Sequence, residues 1–216
     1  AEQQILVDIR RLLQLEVVND TIRKYQTTPS DLGIARRPAI YLNGRQRDLT
    51  IILKKHYGID YRAPCDAEHT ALPSRSIDCV TSTATLEHIP QADIGKILRE
   101  CHRILRDDGV MSLLIDYDDH YSYFDSNVSG YNFLQYSDRL WAVFNPALHH
   151  QNRLRHRDYL DLLRDSGFDV IEDQHKDGSD VELQVLRRLA LANRFKSFTV
   201  AELAVRNSLI VARKRP

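Results

Sequence analysis

Ser76-Ile77-Asp78-Cys79-Val80-Thr81-Ser82, the run from Gln91 to Leu105, and Val110 to Ile115 with Asp116 directly after it decide the fold. The first piece reads as a fully buried strand, and the third, a short apolar run, as the next buried strand. Between them Ile94, Ile97, Leu98, Cys101, Ile104 and Leu105 recur at the three, four and seven spacing of one helical face. Residues 106–109, Arg-Asp-Asp-Gly, close that helix, and Gly109 is expected to take the positive φ of a helix end. Strand, helix, strand in this order is a crossover unit, so the first prediction is an α/β fold with a parallel sheet.

Working outward, Ile5 to Ile9 is a short β-branched run that reads as a buried strand, and Arg10 to Gln26 reads as a helix. Thr28-Pro29-Ser30-Asp31 is turn chemistry. A helix is expected from Gln46 to Tyr57, with Gly58 beyond its end, then an extended segment from Tyr61 to Ala67 broken by Pro64. On the other side, Arg155 to Ser166 reads as a helix closed by Gly167, Phe168 to Glu172 as a strand, Leu183 to Asn193 as a helix and Asn207 to Arg213 as a last strand. Ligands on such sheets sit at the carboxyl ends of the strands. That rule gathers Asp8, Asp66, Ser82 to His88 and Asp116 to Tyr121 into one expected crevice. Residues 117–150 carry Tyr117, Tyr121, Tyr123, Phe124, Tyr131, Phe133, Tyr136, Trp141 and Phe144 with little periodicity, which suggests an insertion covering a substrate. The whole of residues 1–216 is read as one domain.

Thirty Lys+Arg balance thirty Asp+Glu, which removes a general attraction to nucleic acid or an anionic membrane. No apolar run reaches the roughly 18 residues of a membrane span. Three cysteines, Cys65, Cys79 and Cys101, lack metal or redox spacing and read as buried thiols of a cytoplasmic protein. The acidic loop Asp116, Asp118, Asp119 with His120 invites a metal reading, with His149, His150 and His156 in support. No H-x-x-x-H or H-E-x-x-H spacing backs it, so no metal is expected. The basic run Arg153, Arg155, His156, Arg157 reads as a solvated helix start, with an anionic substrate group as the sharper alternative.

Cys65-Asp66-Ala67, Leu72-Pro73, Ser76-Ile77-Asp78, Thr85-Leu86-Glu87-His88-Ile89 and Arg103 to Gly109 stand in one order and spacing. That ordered set resembles the class I S-adenosylmethionine-dependent methyltransferases, in the branch carrying a Leu-Glu-His-Ile motif. The resemblance implies a Rossmann-like, doubly wound, mostly parallel sheet, with S-adenosylmethionine as cofactor and a small molecule as methyl acceptor. Carried over residue by residue, it implies that Asp8 binds the cofactor ribose, since one ionised carboxylate accepts from both vicinal hydroxyls. Asp66 would face the adenine with the Ala67 amide beside it, and Ser82, Thr83 and Ala84 would line the methionine side. Glu87 falls at the substrate opening, where Tyr117, Tyr121, Tyr131 and Trp141 would cover the acceptor.

His88 and His120, both at strand carboxyl ends, are the candidate bases for an acceptor hydroxyl or amine. His88 has a plainer reading as a helix-start residue bonded to backbone. The glycine-rich loop and first strand of the resembled family have no counterpart in the eight glycines present. The resemblance therefore implies a fragment that starts inside that loop, with the first strand missing and cofactor binding weakened. Two other classes stay open: a non-catalytic methyltransferase-like subunit that binds a protein, and a metal-dependent hydrolase.

Overall fold

The computed structural model describes residues 3–27 and 49–215, which fall into two compact units, 1–70 and 71–216. The expected turn at 28–31 and the first residues of the expected 46–57 helix lie outside the described residues.

In the first unit, β1 (Gln4–Val7) is followed by α1 (Leu15–Thr27), α2 (Leu49–Tyr57) and β2 (Ile59–Arg62). The strands pair in parallel, Gln4 opposite Ile59 through Val7 opposite Arg62. Leu49, Leu53 and Tyr61 form a small core with Leu13, Leu15 and Val18 packed on it. Gly58 ends α2 at φ +70°, a conformation only glycine adopts without strain. Two expectations need correction. The helix starts at Leu15 rather than Arg10, and β1 is half-exposed, with Leu6 and Ile9 open to solvent.

The second unit holds β3 (Ile77–Thr83), α3 (Gln91–Ile104), β4 (Leu105–Asp116), α4 (Asp138–Phe144) and α5 (His156–Asp165). After these come β5 (Phe168–His175), α6 (Asp180–Arg188), α7 (Val200–Ala204) and β6 (Asn207–Lys214). The sheet order is β3-β4-β6-β5. β3 and β4 are parallel, as a crossover helix requires, whereas β6 runs antiparallel to both neighbours. The α/β class is as expected, the sheet is mixed, and β3, expected to be fully buried, has Asp78, Cys79, Thr81 and Thr83 exposed. Its core joins Ile94 and Leu98 of α3, Met111, Leu113 and Ile115 of β4, and Tyr159 and Leu163 of α5.

Gly109 is not a helix cap. Residues 105–116 are all strand, and the pairing jumps from Ile77–Leu105 to Cys79–Val110. A Cβ at Gly109 would lie 3.1 Å from the carbonyl oxygens of Asp78 and Arg106, so the residue serves close backbone approach. The cysteines are free and none is fully buried, Cys79 being exposed. Burial pushes the Cys101 thiol up to about 12.

The aromatic stretch after β4 is largely a second core. Tyr131, Phe133, Leu134 and Trp141 pack with Leu186, Phe195 and Leu203. Tyr131 and Trp141, expected to face a substrate, are only 3% and 5% exposed, and Tyr117 is buried in the main core. The basic run is the largest reversal. Arg155 is fully buried, its guanidinium donating to the carbonyls of Tyr117, Leu203 and Val205. Arg153 donates to the carbonyls of Phe133 and Tyr136 and lies against the Trp141 ring.

Candidate functional site

Each sequence-predicted residue has a definite place. In the first unit, Asp8 follows β1 and accepts from the Arg10 amide at 3.2 Å and the Tyr61 hydroxyl at 3.3 Å. The Cys65 amide donates to the Asp8 carbonyl at 2.8 Å. That bond ties the segment carrying Asp66 and Ala67 to the end of β1. Asp66 itself is exposed and caps the Glu68 amide at 2.8 Å.

In the second unit, Ser82 and Thr83 end β3, and Ala84 turns the chain aside at φ +45°. A left-handed conformation is uncommon for a residue with a Cβ. It is held by the Ala84 amide donating to the Leu114 carbonyl at 2.9 Å. A single helical turn, Leu86–His88, follows. Asn152 pins it, its amide nitrogen donating to the carbonyls of Leu86 and Ile89 at 2.8 Å each. The plainer reading of His88 describes its Nδ1, which lies 2.9 Å from the His150 carbonyl.

Around this turn five groups gather. Glu87 is 2% exposed, and neither carboxylate oxygen makes a well-aligned hydrogen bond. Burial, with the Asp116 charge beside it, raises its pKa to about 7, against opposing effects from its own amide, from His120 and from the Asp116 amide. His120 Nε2 lies 3.4 Å from Asp116 Oδ2, and the His120 pKa is raised, chiefly by that carboxylate. Burial would lift Asp116, but His120, the Tyr123 hydroxyl and the Asp118 amide outweigh it and hold it below the usual carboxylate range. The His88 and His120 ring centroids are 4.9 Å apart, and Tyr123 stacks on His120 at 5.0 Å. Tyr121 is exposed nearby in sequence, its hydroxyl donating to the Phe144 carbonyl.

Beside these groups, at the carboxyl ends of β3 and β4, lies a cleft of about 450 Å³ lined by Ala84, Asp116, Asp118, Tyr123, Lys176 and Arg206. Arg206 Nε donates to both oxygens of Asp118 at 3.0 Å and its Nη1 to Glu182 at 3.1 Å. Sequence reading missed this pair because β6 meets the Asp118 loop only in the fold. It missed Gln151 likewise, whose Oε1 accepts from the His120 amide and whose side-chain amide donates to the Asp118 carbonyl.

Residues 46–113 match the family described as a methyltransferase domain. That segment holds α2, β2, β3, α3 and most of β4, and it ends three residues before Asp116. No curated protein matches the chain. Solved structures resemble it at low identity. One is the YcgJ protein of Bacillus subtilis, with 17% identity over 100% of this chain and 83% of that one, at a TM-score of 0.49. A Burkholderia thailandensis 1,6-didemethyltoxoflavin-N1-methyltransferase shares 12% identity over 94% and 78% (TM-score 0.46). A geranyl diphosphate C-methyltransferase of Streptomyces coelicolor shares 13% over 78% and 56% (TM-score 0.45). Among the described residues no helix is long and apolar enough to cross a membrane.

Proposed function

We propose that the chain transfers a methyl group from S-adenosylmethionine to a small-molecule acceptor. The observation that carries this reading is the methyltransferase-domain match over residues 46–113, which leads into the cleft at the end of β4. Methyl transfer from a sulfonium is an in-line displacement. The acceptor's lone pair forms the new bond to the methyl carbon, and the carbon–sulfur pair leaves with sulfur. The acceptor's proton must go to a base. His120 is suited to receive it, because Asp116 stabilises the imidazolium that results. Asp8 and Asp66 are assigned to the cofactor's nucleoside, and Ser82, Thr83 and Ala84 to its amino-acid end. The balanced overall charge supports a small acceptor over nucleic acid.

Ultraviolet cross-linking with radiolabelled S-adenosylmethionine tests this directly, since it registers weak as well as tight occupancy. Label should enter the native chain and fall about tenfold or more in Asp8→Ala, the loss of a hydrogen bond worth ~1.5–3 kcal/mol. His120→Ala should keep the label and lose turnover. Absence of label above that of an unrelated protein overturns the reading in favour of a non-catalytic subunit.

A further inference from the structure

Glu87, His88 and His120 each offer a ligand atom, and the three atoms lie within 4.8 Å of one another. We propose that these side chains form a binding site for a divalent transition-metal ion.

Three observations lead there. The first is Glu87, a carboxylate almost wholly out of water whose two oxygens lack well-aligned donors. A buried carboxyl retained for packing alone would be expected to find such partners, because leaving it without them is costly. The second is His88. A carbonyl only accepts, so Nδ1 carries the proton toward His150, and the lone pair is left on Nε2. Backbone carbonyls orient ligating histidines in this way. The third is His120, whose ring is held by Asp116 on one side and Tyr123 on the other. A carboxylate behind an imidazole is the usual outer support of a histidine ligand.

Donors around an ion with bonds of about 2.1 Å stand roughly 3–3.5 Å apart. The observed spread needs only a small side-chain movement, which the solvent-exposed His88 can make while keeping its bond to the His150 carbonyl. Two imidazoles and one carboxylate suit Zn²⁺, Mn²⁺, Fe²⁺ or Co²⁺ in preference to Mg²⁺ or Ca²⁺. The other clusters of this composition lack an orphaned group. In His156–Asp173–His175 both histidines are bonded to Asp173, and in Asp66–Glu68–His69 the Asp66 carboxylate is engaged by the Glu68 amide.

The proposal does not rest on methyl transfer, although one nitrogen of His120 cannot hold the ion and receive an acceptor's proton at once, and its test reads binding alone. Metal-free protein is titrated with Zn²⁺ by calorimetry and with Co²⁺ by visible absorption. One equivalent of each should bind, with a Co²⁺ spectrum perturbed from that of the aqueous ion. Glu87→Gln keeps the side-chain shape and should weaken Zn²⁺ at least tenfold. His88→Ala alters an exposed side chain and should do the same without disturbing the fold. Asp173→Asn should leave the affinity unchanged. Native affinity in Glu87→Gln and His88→Ala overturns the proposal, as does loss confined to Asp173→Asn or no stoichiometric binding at all. Displacement of Zn²⁺ by equimolar Mg²⁺ overturns the assigned class of ion.

Discussion

Two groups of buried charge in the second unit are built on opposite plans. Arg153 and Arg155 lie at the entrance to α5, and their terminal guanidinium nitrogens donate to backbone carbonyls from distant parts of the chain and, in Arg153, to the Asp138 carboxylate, leaving only each Nε without a partner. Glu87 is as deeply buried but lacks well-aligned donors. The arginines are fasteners. Each converts carbonyls stranded at loop ends into satisfied ones, which is what a buried polar group must do to be tolerated. Burial lowers both arginine pKa values, that of Arg153 to about 10. Glu87 does no such fastening with its carboxylate, and a group that stabilises nothing visible is a candidate for a ligand or for chemistry.

The contrast can be broken most sharply at Arg155. Arg155→Met leaves three carbonyls without their donor and should cost about 3–5 kcal/mol, measured as the shift of a denaturant midpoint. A loss below 1 kcal/mol would remove the fastener description. Arg153→Met should cost less, about 2–3 kcal/mol, since it strips two carbonyls, the exposed Asp138 carboxylate and cation–π contacts with Trp141 and Phe195 at the edge of the second core. Glu202→Gln probes an ordinary exposed case, the capping box with Thr199 that starts α7. The Thr199 amide, donating to the carboxylate, chiefly holds the Glu202 pKa below its usual value. A depressed carboxylate contributes stability above its unfolded pKa and loses it as pH falls through the folded one. The variant should therefore cost ~1 kcal/mol at pH 7, with the gap from native closing in acid below about pH 4. The smallest effect is expected at Glu87. Glu87→Gln in metal-free buffer should move stability by under about 1 kcal/mol, and toward greater stability, because it removes a carboxyl whose charged form burial disfavours. Thermal melts with and without Zn²⁺ sharpen this, since only the native chain should gain on adding the ion.

Much of the second unit can be read directly from residue patterns. The periodicity from Ile94 to Leu105 places α3 within one residue, and the apolar run before Asp116 locates the carboxyl end of β4. The same reading puts His120 and Asp116 at one edge, and there they meet. It fails wherever a side chain's environment comes from far along the chain. Nothing local distinguishes Arg155 from a solvated arginine, because the carbonyls it serves are 38 to 50 positions away. Tyr131 and Trp141 look like a lid in sequence and become a core only because α6 and α7 supply its other wall. Asn152 and Gln151, which position the Glu87 turn and His120, sit in a stretch without periodicity. The glutamate of the Leu-Glu-His-Ile motif is legible as a motif member, but its burial follows from neighbours on other elements.

The jump in pairing between β3 and β4 has a consequence for how this fold tolerates change. Arg106, Asp107 and Asp108 stand in water between two fixed rungs, Ile77–Leu105 and Cys79–Val110. They are slack in the ladder. An added or deleted residue there would be absorbed locally, leaving Asp116 and the turn beyond Ala84 at their present heights, provided Gly109 keeps its place against Asp78.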